Sequence, residues 1–125
     1  MANALTFNMR LLAHHELQGF GGVGEGMALQ AAPGGRRILW LAHEAAPKNF
    51  TGVDVSDPRA PRVVVQTELP HAKMRSNSLD VTGNVMAVAY QTAGTGMTPA
   101  GFDLFDVSVP EMPRRISHFD ASGKH

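Results

Sequence analysis

A chain of 125 residues with 43% hydrophobic residues is long enough to bury one core and too apolar for a disordered segment. Eleven basic and eleven acidic residues give a formal net charge of zero, which removes the general electrostatic case for nucleic acid or an anionic membrane as partner. Cysteine is absent, so disulfides, thiolate metal sites and a cysteine nucleophile are excluded. The segment Met1 to Arg10 lacks a basic start followed by a long apolar run. No stretch reaches the roughly 20 apolar residues that cross a bilayer, and the expectation is a cytoplasmic protein.

Leu11 to Leu17 has the composition of a short strand leading into a glycine-rich connector, Gln18 to Gly26. Five glycines there imply a loop that approaches another backbone or moves. Their spacing is not that of a phosphate cradle, since no Gly-Lys-Ser/Thr follows and no strand-to-helix unit surrounds them. Met27 to Ala32 is the first inner strand, closed by the turn Pro33-Gly34-Gly35. Arg37 to His43 is nearly continuous in apolarity, as expected of a strand covered on both faces. After a loop at Glu44 to Asn49, Phe50 to Val55 and Arg62 to Leu69 complete four short strands.

The same order then returns. His71 to Asn77 takes the place of the glycine-rich connector, Ser78 to Val81 is the inner strand, and Thr82-Gly83-Asn84 is its turn. Val85 to Gln91 answers the apolar strand around Trp40, and Thr92 to Ala100 is a loop. Gly101 to Val107 and Arg115 to Phe119 close the second set. Trp40, Met86 and Tyr90 are expected to pack between sheets. The pairs Arg36-Arg37 and Arg114-Arg115, with no aromatic residues between them, are expected on solvated edges or turns.

The two sets share a phrase. Gly52-Val53-Asp54-Val55-Ser56-Asp57-Pro58-Arg59-Ala60-Pro61 returns as Leu104-Phe105-Asp106-Val107-Ser108-Val109-Pro110-Glu111-Met112-Pro113, with Asp54 and Asp106 separated by 52 residues. A proline lacks the N–H needed by a ladder, so Pro58 and Pro110 end a strand, and Pro61 and Pro113 open the next. Asp54 and Asp106 are expected to bond the turn backbone, as are Ser56, Asp57 and Ser108. A repeat of this length with strand-type alternation implies a small sheet stacked on copies of itself, that is, an all-β propeller with blades of four antiparallel strands.

Those phrases, each preceded by an apolar strand, resemble the LVIVD-repeat family of bacterial and archaeal β-propellers. In that family a strand ending in Asp-Val-Ser-Asp-Pro closes on a proline turn before the outer strand of the blade. The resemblance covers roughly residues 26 to 119, with blade-like repeats at about 26–69 and 77–119. Val109 replaces the usual Asp, and Gly52-Val53 stands where two aliphatic residues are more usual. The resemblance implies a fold and no catalytic residues.

Two blades cannot close a ring, because propellers typically have about four to eight. The chain is therefore expected to be the N-terminal part of one propeller over 1–125, with the remaining blades, in a second chain or a C-terminal part, as its partner. Residues 9–17 are expected to supply a ring-closing strand. The connectors Phe20 to Gly26 and His71 to Asn77, with a third near Lys124-His125, place Glu25, His71, Arg75, Asn77 and His125 where successive blades converge. His71, Glu25 and His125 are the residue types that hold a divalent Zn, Mn or Fe ion. Glu25 and His71 equally suit acid–base catalysis, with Arg75 anchoring a carboxylate or phosphate. The adjacent His14 and His15 and the outer-strand His118 are expected at the surface, and His43 in a loop hydrogen bond. Three functions remain: a scaffold for a small polar ligand or a protein, an enzyme with an axial metal or acid–base site, and one part of a jointly built propeller.

Overall fold

A computed structural model describes residues 7–20, 22–94 and 96–121. Eight strands follow in order: β1 (Val23–Ala32), β2 (Arg36–His43), β3 (Lys48–Asp54), β4 (Arg62–Glu68), β5 (Met74–Thr82), β6 (Val85–Thr92), β7 (Gly101–Asp106) and β8 (Arg114–Phe119). They form two four-stranded antiparallel sheets, β1-β2-β3-β4 and β5-β6-β7-β8. These are two propeller blades that stack without closing a ring, the expected all-β architecture.

Two local expectations need correcting. The inner strands begin earlier than expected, so Val23–Gly26 and Met74–Asn77 lie in β1 and β5 rather than in loops. Glycine did not end β1 because the neighbouring blade fills the space beside it. A β-carbon on Gly26 would lie 2.5 Å from the Leu79 nitrogen, so glycine alone lets the two inner strands touch. In addition, Leu11 to Leu17, expected as a short strand, is not one within these two blades, and a 3₁₀ turn stands at Leu17–Gly19. A strand needs an edge to pair with, and no described strand of this chain takes that segment.

The repeated phrase behaves as its chemistry demands. Asp54 Oδ1 accepts the Ser56 N–H at 2.9 Å, and Asp106 Oδ1 accepts the Ser108 N–H at 2.9 Å and its hydroxyl at 2.6 Å. Those serine bonds, aided by Arg36 and Arg114, hold both carboxyls below the ordinary aspartate range. Asp57 Oδ1 accepts the Arg59 N–H at 3.0 Å, a bond that Val109 cannot make in the second copy. Both turns still close through the backbone, Ala60 N–H to Asp57 O at 3.0 Å and Met112 N–H to Val109 O at 2.9 Å. Ser56 Oγ accepts the Arg37 N–H at 3.0 Å, whereas Ser108 spends its hydroxyl on Asp106.

Between the blades lies one apolar core. Trp40, Phe50 and Phe105 meet edge to face, with centroids 5.7 and 5.1 Å apart, among Ile38, Met86 and Val88. Trp40 faces Gly52 across β2 and β3, and a β-carbon there would lie 2.8 Å from the indole. Ala87 and Leu104 occupy the equivalent pair in the second blade, so the large residue has changed strands while the pair remains one large and one small. This explains the unusual Gly52.

Polar groups cross the seam as well. The buried Gln30 accepts the Trp40 indole N–H at 2.9 Å and donates to the Val107 carbonyl at 3.1 Å and to Asn84 Oδ1 at 3.2 Å. Arg36, expected on a solvated edge, is half-buried and joins Asp54 of its own blade to Glu111 in the turn of the next. Glu111 is 75 residues away, so the pairing has no local signal.

Replacing Gly26 with alanine is expected to cost about 3 kcal/mol, because the atoms it meets are backbone and cannot swing aside. Gly22→Ala, in the same glycine-rich stretch with nothing within 4 Å of the new atom, is expected to stay within about 0.5 kcal/mol. Urea denaturation of the two variants checks the contrast.

Candidate functional site

The two connectors meet at one end of the seam. There β1 brings Gly24 and Glu25, the turn after β2 brings Glu44, and β5 brings Arg75, Ser76 and Asn77 to a narrow polar cleft of about 40 Å³. It adjoins a wider, open cleft of about 470 Å³, whose wall includes Glu44, Ala46, Lys73, Arg75 and Gln91. Three expected site residues, Glu25, Arg75 and Asn77, therefore share one rim, joined by Glu44.

His71 does not line either cleft. Its Nδ1 accepts the Lys73 N–H at 3.2 Å, which fastens the turn before β5. Among the described residues no group of three His, Asp or Glu side chains stands together as metal ligands. His125 lies outside the described residues.

The Arg75 guanidinium is held from two sides. Its Nε and Nη2 donate to Gln91 Oε1 at 2.8 and 2.6 Å, and Nη1 reaches Glu44 Oε1 at 3.5 Å. Arg75 faces Gln91 across β5 and β6, so strand register sets the geometry. The planar fork is thus held at the mouth of the wider cleft, with its charge only partly neutralised by the exposed Glu44. Such an arrangement suits recognition of a carboxylate or phosphate oxygen.

Behind Arg75, the fully buried Ser76 holds the cleft's floor. Its hydroxyl accepts the His43 N–H at 3.0 Å and bonds the Asn49 carbonyl, joining β5 to both ends of the turn that carries Glu44. His43 itself is buried at the end of β2, not in a loop, with Nε2 2.6 Å from Thr51 Oγ1. Burial lowers its pKa, which keeps the ring neutral. Gln66 Nε2 adds a bond to Thr51 Oγ1 at 3.1 Å.

The second blade repeats that relay at equivalent positions with different residues. Tyr90 donates to Asp103 Oδ2 at 2.9 Å, and His118 Nδ1 lies 2.6 Å from Asp103 Oδ1. His118 stands on the exposed outer strand, as expected, and its ring leans onto this carboxylate, which leaves the side chain 25% exposed. Sequence reasoning missed both relays because each joins three strands, and only the register brings their members together.

Comparison of the chain with known families and with curated proteins yields no match to either. No helix among the described residues is long and apolar enough to cross a membrane.

Ser76→Ala is expected to destabilise the protein by about 1–3 kcal/mol, because it strips partners from a buried N–H and a buried carbonyl. Arg75→Ala removes only a partly exposed pair and is expected to cost no more than about 1 kcal/mol. Thermal and chemical unfolding of the two variants measures the difference.

Proposed function

We propose that the chain contributes two blades to a larger β-propeller that works as a binding scaffold. One observation carries this reading: each blade leaves free the face that its equivalent buries. Leu79, Val81, Met86 and Val88 of the second blade pack toward the first. Strand pairing makes Met27, Leu29, Leu39 and Leu41 their equivalents in the first blade, yet Met27 is 66% and Leu29 55% exposed. The reverse holds at the other end. Ile38, Trp40 and Phe50 are fully buried by the second blade, whereas their equivalents Val85, Ala87 and Phe102 are uncovered or only partly covered.

Further blades of the same kind are the occupants that suit both faces, because each would repeat a packing already present in the central seam. They would come from the rest of a longer chain or from a second one. Residues 9–16, which lead into Leu17 beside Gln66 on the first free face, would supply an outer strand to an adjoining blade. The Asp-Val-Ser turn phrase, with its two prolines, supports membership of the LVIVD-repeat family. The cleft at Arg75 would take the carboxylate or phosphate of a small polar ligand, with Glu25, Glu44 and Asn77 around it.

In the native, assembled protein, Met27→Asp is expected to lower unfolding stability by about 2 kcal/mol or more, since the carboxylate would be buried against a neighbouring blade. Met112→Asp, on an exposed turn, is expected to change it by less than about 0.5 kcal/mol. Equal, small effects in urea denaturation would contradict the reading.

A further inference from the structure

The first free face differs in charge from the face that its equivalent buries. Backbone bonds fix the equivalence: Val55 N–H to the Arg37 carbonyl at 2.9 Å matches Val107 N–H to the Asn84 carbonyl at 2.8 Å, and the turn bonds of Ala60 and Met112 match each other. Arg37 therefore stands where Asn84 does, and Arg59 stands where Glu111 does.

In the central seam, both positions receive a side chain from the blade before. Gln30 gives an N–H to Asn84 Oδ1 at 3.2 Å, and the Arg36 guanidinium pairs with the Glu111 carboxylate. Each receiving group is an acceptor. On the first free face, both receiving groups are arginines, which only donate. The ion-paired arginines among the described residues are Arg36, Arg62, Arg75 and Arg114, so Arg37 and Arg59 stand exposed with no acidic partner there.

Their surroundings leave room for one. Arg37 lies opposite Ala31, at the end of the face formed by Met27, Leu29, Leu39 and Leu41, and beside a cavity of about 330 Å³ along the β1–β2 hairpin. Val55 is only half-buried there, whereas its equivalent Val107 is fully buried. Asp57, the carboxylate of the same turn, does not serve. Its Oδ1 holds the Arg59 backbone N–H, and its equivalent Val109 stays 51% exposed with a neighbouring blade in place.

We propose that the first free face docks a blade carrying two acidic side chains, one at the place of Gln30 to meet Arg37 and one at the place of Arg36 to meet Arg59. The inference rests on the propeller reading and adds the chemistry of the neighbour to it. Arg37 has donors enough for such a carboxylate and for the Val55 carbonyl, which stands where Gln30 meets the Val107 carbonyl. A second copy of this chain does not fit the requirement. Its second blade would present Thr82 at the place of Gln30 and Gly83 at the place of Arg36, by strand register, and neither supplies a carboxylate.

Zero-length cross-linking of the native, full-length protein tests the proposal. Arg37→Lys and Arg59→Lys each introduce a primary amine, which a carbodiimide joins to a carboxylate in contact with it, and peptide mass spectrometry identifies the partner. Arg36→Lys, expected to join Glu111, calibrates the reaction. Each of the two test variants is expected to join an Asp or Glu that lies outside these 125 residues. The absence of a cross-link at either position would overturn the proposal. So would cross-links only to carboxylates of this sequence, whether Asp57 or those of a second copy. The double variant Arg37→Glu with Arg59→Glu sets like charges against each other and is expected to speed Met27 oxidation by hydroxyl radicals at least about tenfold; an unchanged rate would also overturn it. Slow oxidation of Met27 in the unaltered protein, with no cross-link at 37 or 59, would remove the acidic pair and leave the propeller standing, whereas fast oxidation would remove both.

Discussion

The close approach of β1 to β5 is the constraint on which the rest of the structure depends. With Gly26 against the backbone of Ser78 and Leu79, the inner strands of two sheets come near enough for their faces to interlock. That distance lets Phe50, packed on Trp40, reach Phe105, lets Gln30 reach the Val107 carbonyl, and brings Ser76 to the turn that carries Glu44. Apolar burial supplies most of the stability of such a seam. The buried hydrogen bonds set its register, because a slip of one residue would leave Gln30 and Ser76 unpaired in a low-dielectric interior.

The two blades keep a common frame while differing in the chemistry placed on it. Trp40 over Gly52 in one becomes Ala87 beside Leu104 in the other. The relay His43, Thr51 and Gln66 becomes Tyr90, Asp103 and His118. Each substitution is compensated by a partner one or two strands away, so size and hydrogen bonding are kept by group rather than by residue. The second relay is centred on a carboxylate where the first is centred on a hydroxyl. It is also the one that reaches across the seam to Asn49.

What could be read from the sequence was whatever local chemistry determines. Asp54 and Asp106 bond residues two positions away, and Pro58 and Pro110 act on their own turns, so strand order and turn chemistry were legible. Trp40, Met86 and Tyr90 announced burial by their apolar surroundings. The ends of the connectors were not legible, because the glycines of β1 act as strand residues only when β5 lies alongside. Arg36 and Glu111, like Asn49 and Tyr90, pair across the seam, and neither pairing leaves a pattern along the chain. Of the expected site residues, Glu25, Arg75 and Asn77 gathered because equivalent positions on successive inner strands lie side by side. His71, four residues before Arg75, falls in the turn preceding that strand, where it serves the backbone instead.

In the proposed larger propeller both outer faces of this stack become internal surfaces. Hydroxyl-radical footprinting of the native protein, read by mass spectrometry at individual methionines, distinguishes a covered face from an open one. Met86 is fully buried between the two blades, Met112 is 72% exposed on a turn, and Met27 is 66% exposed on the free face. Covered by a further blade, Met27 in the native protein is expected to oxidise as slowly as Met86. Oxidation of Met27 at the rate of Met112 would show the face open to solvent and contradict it.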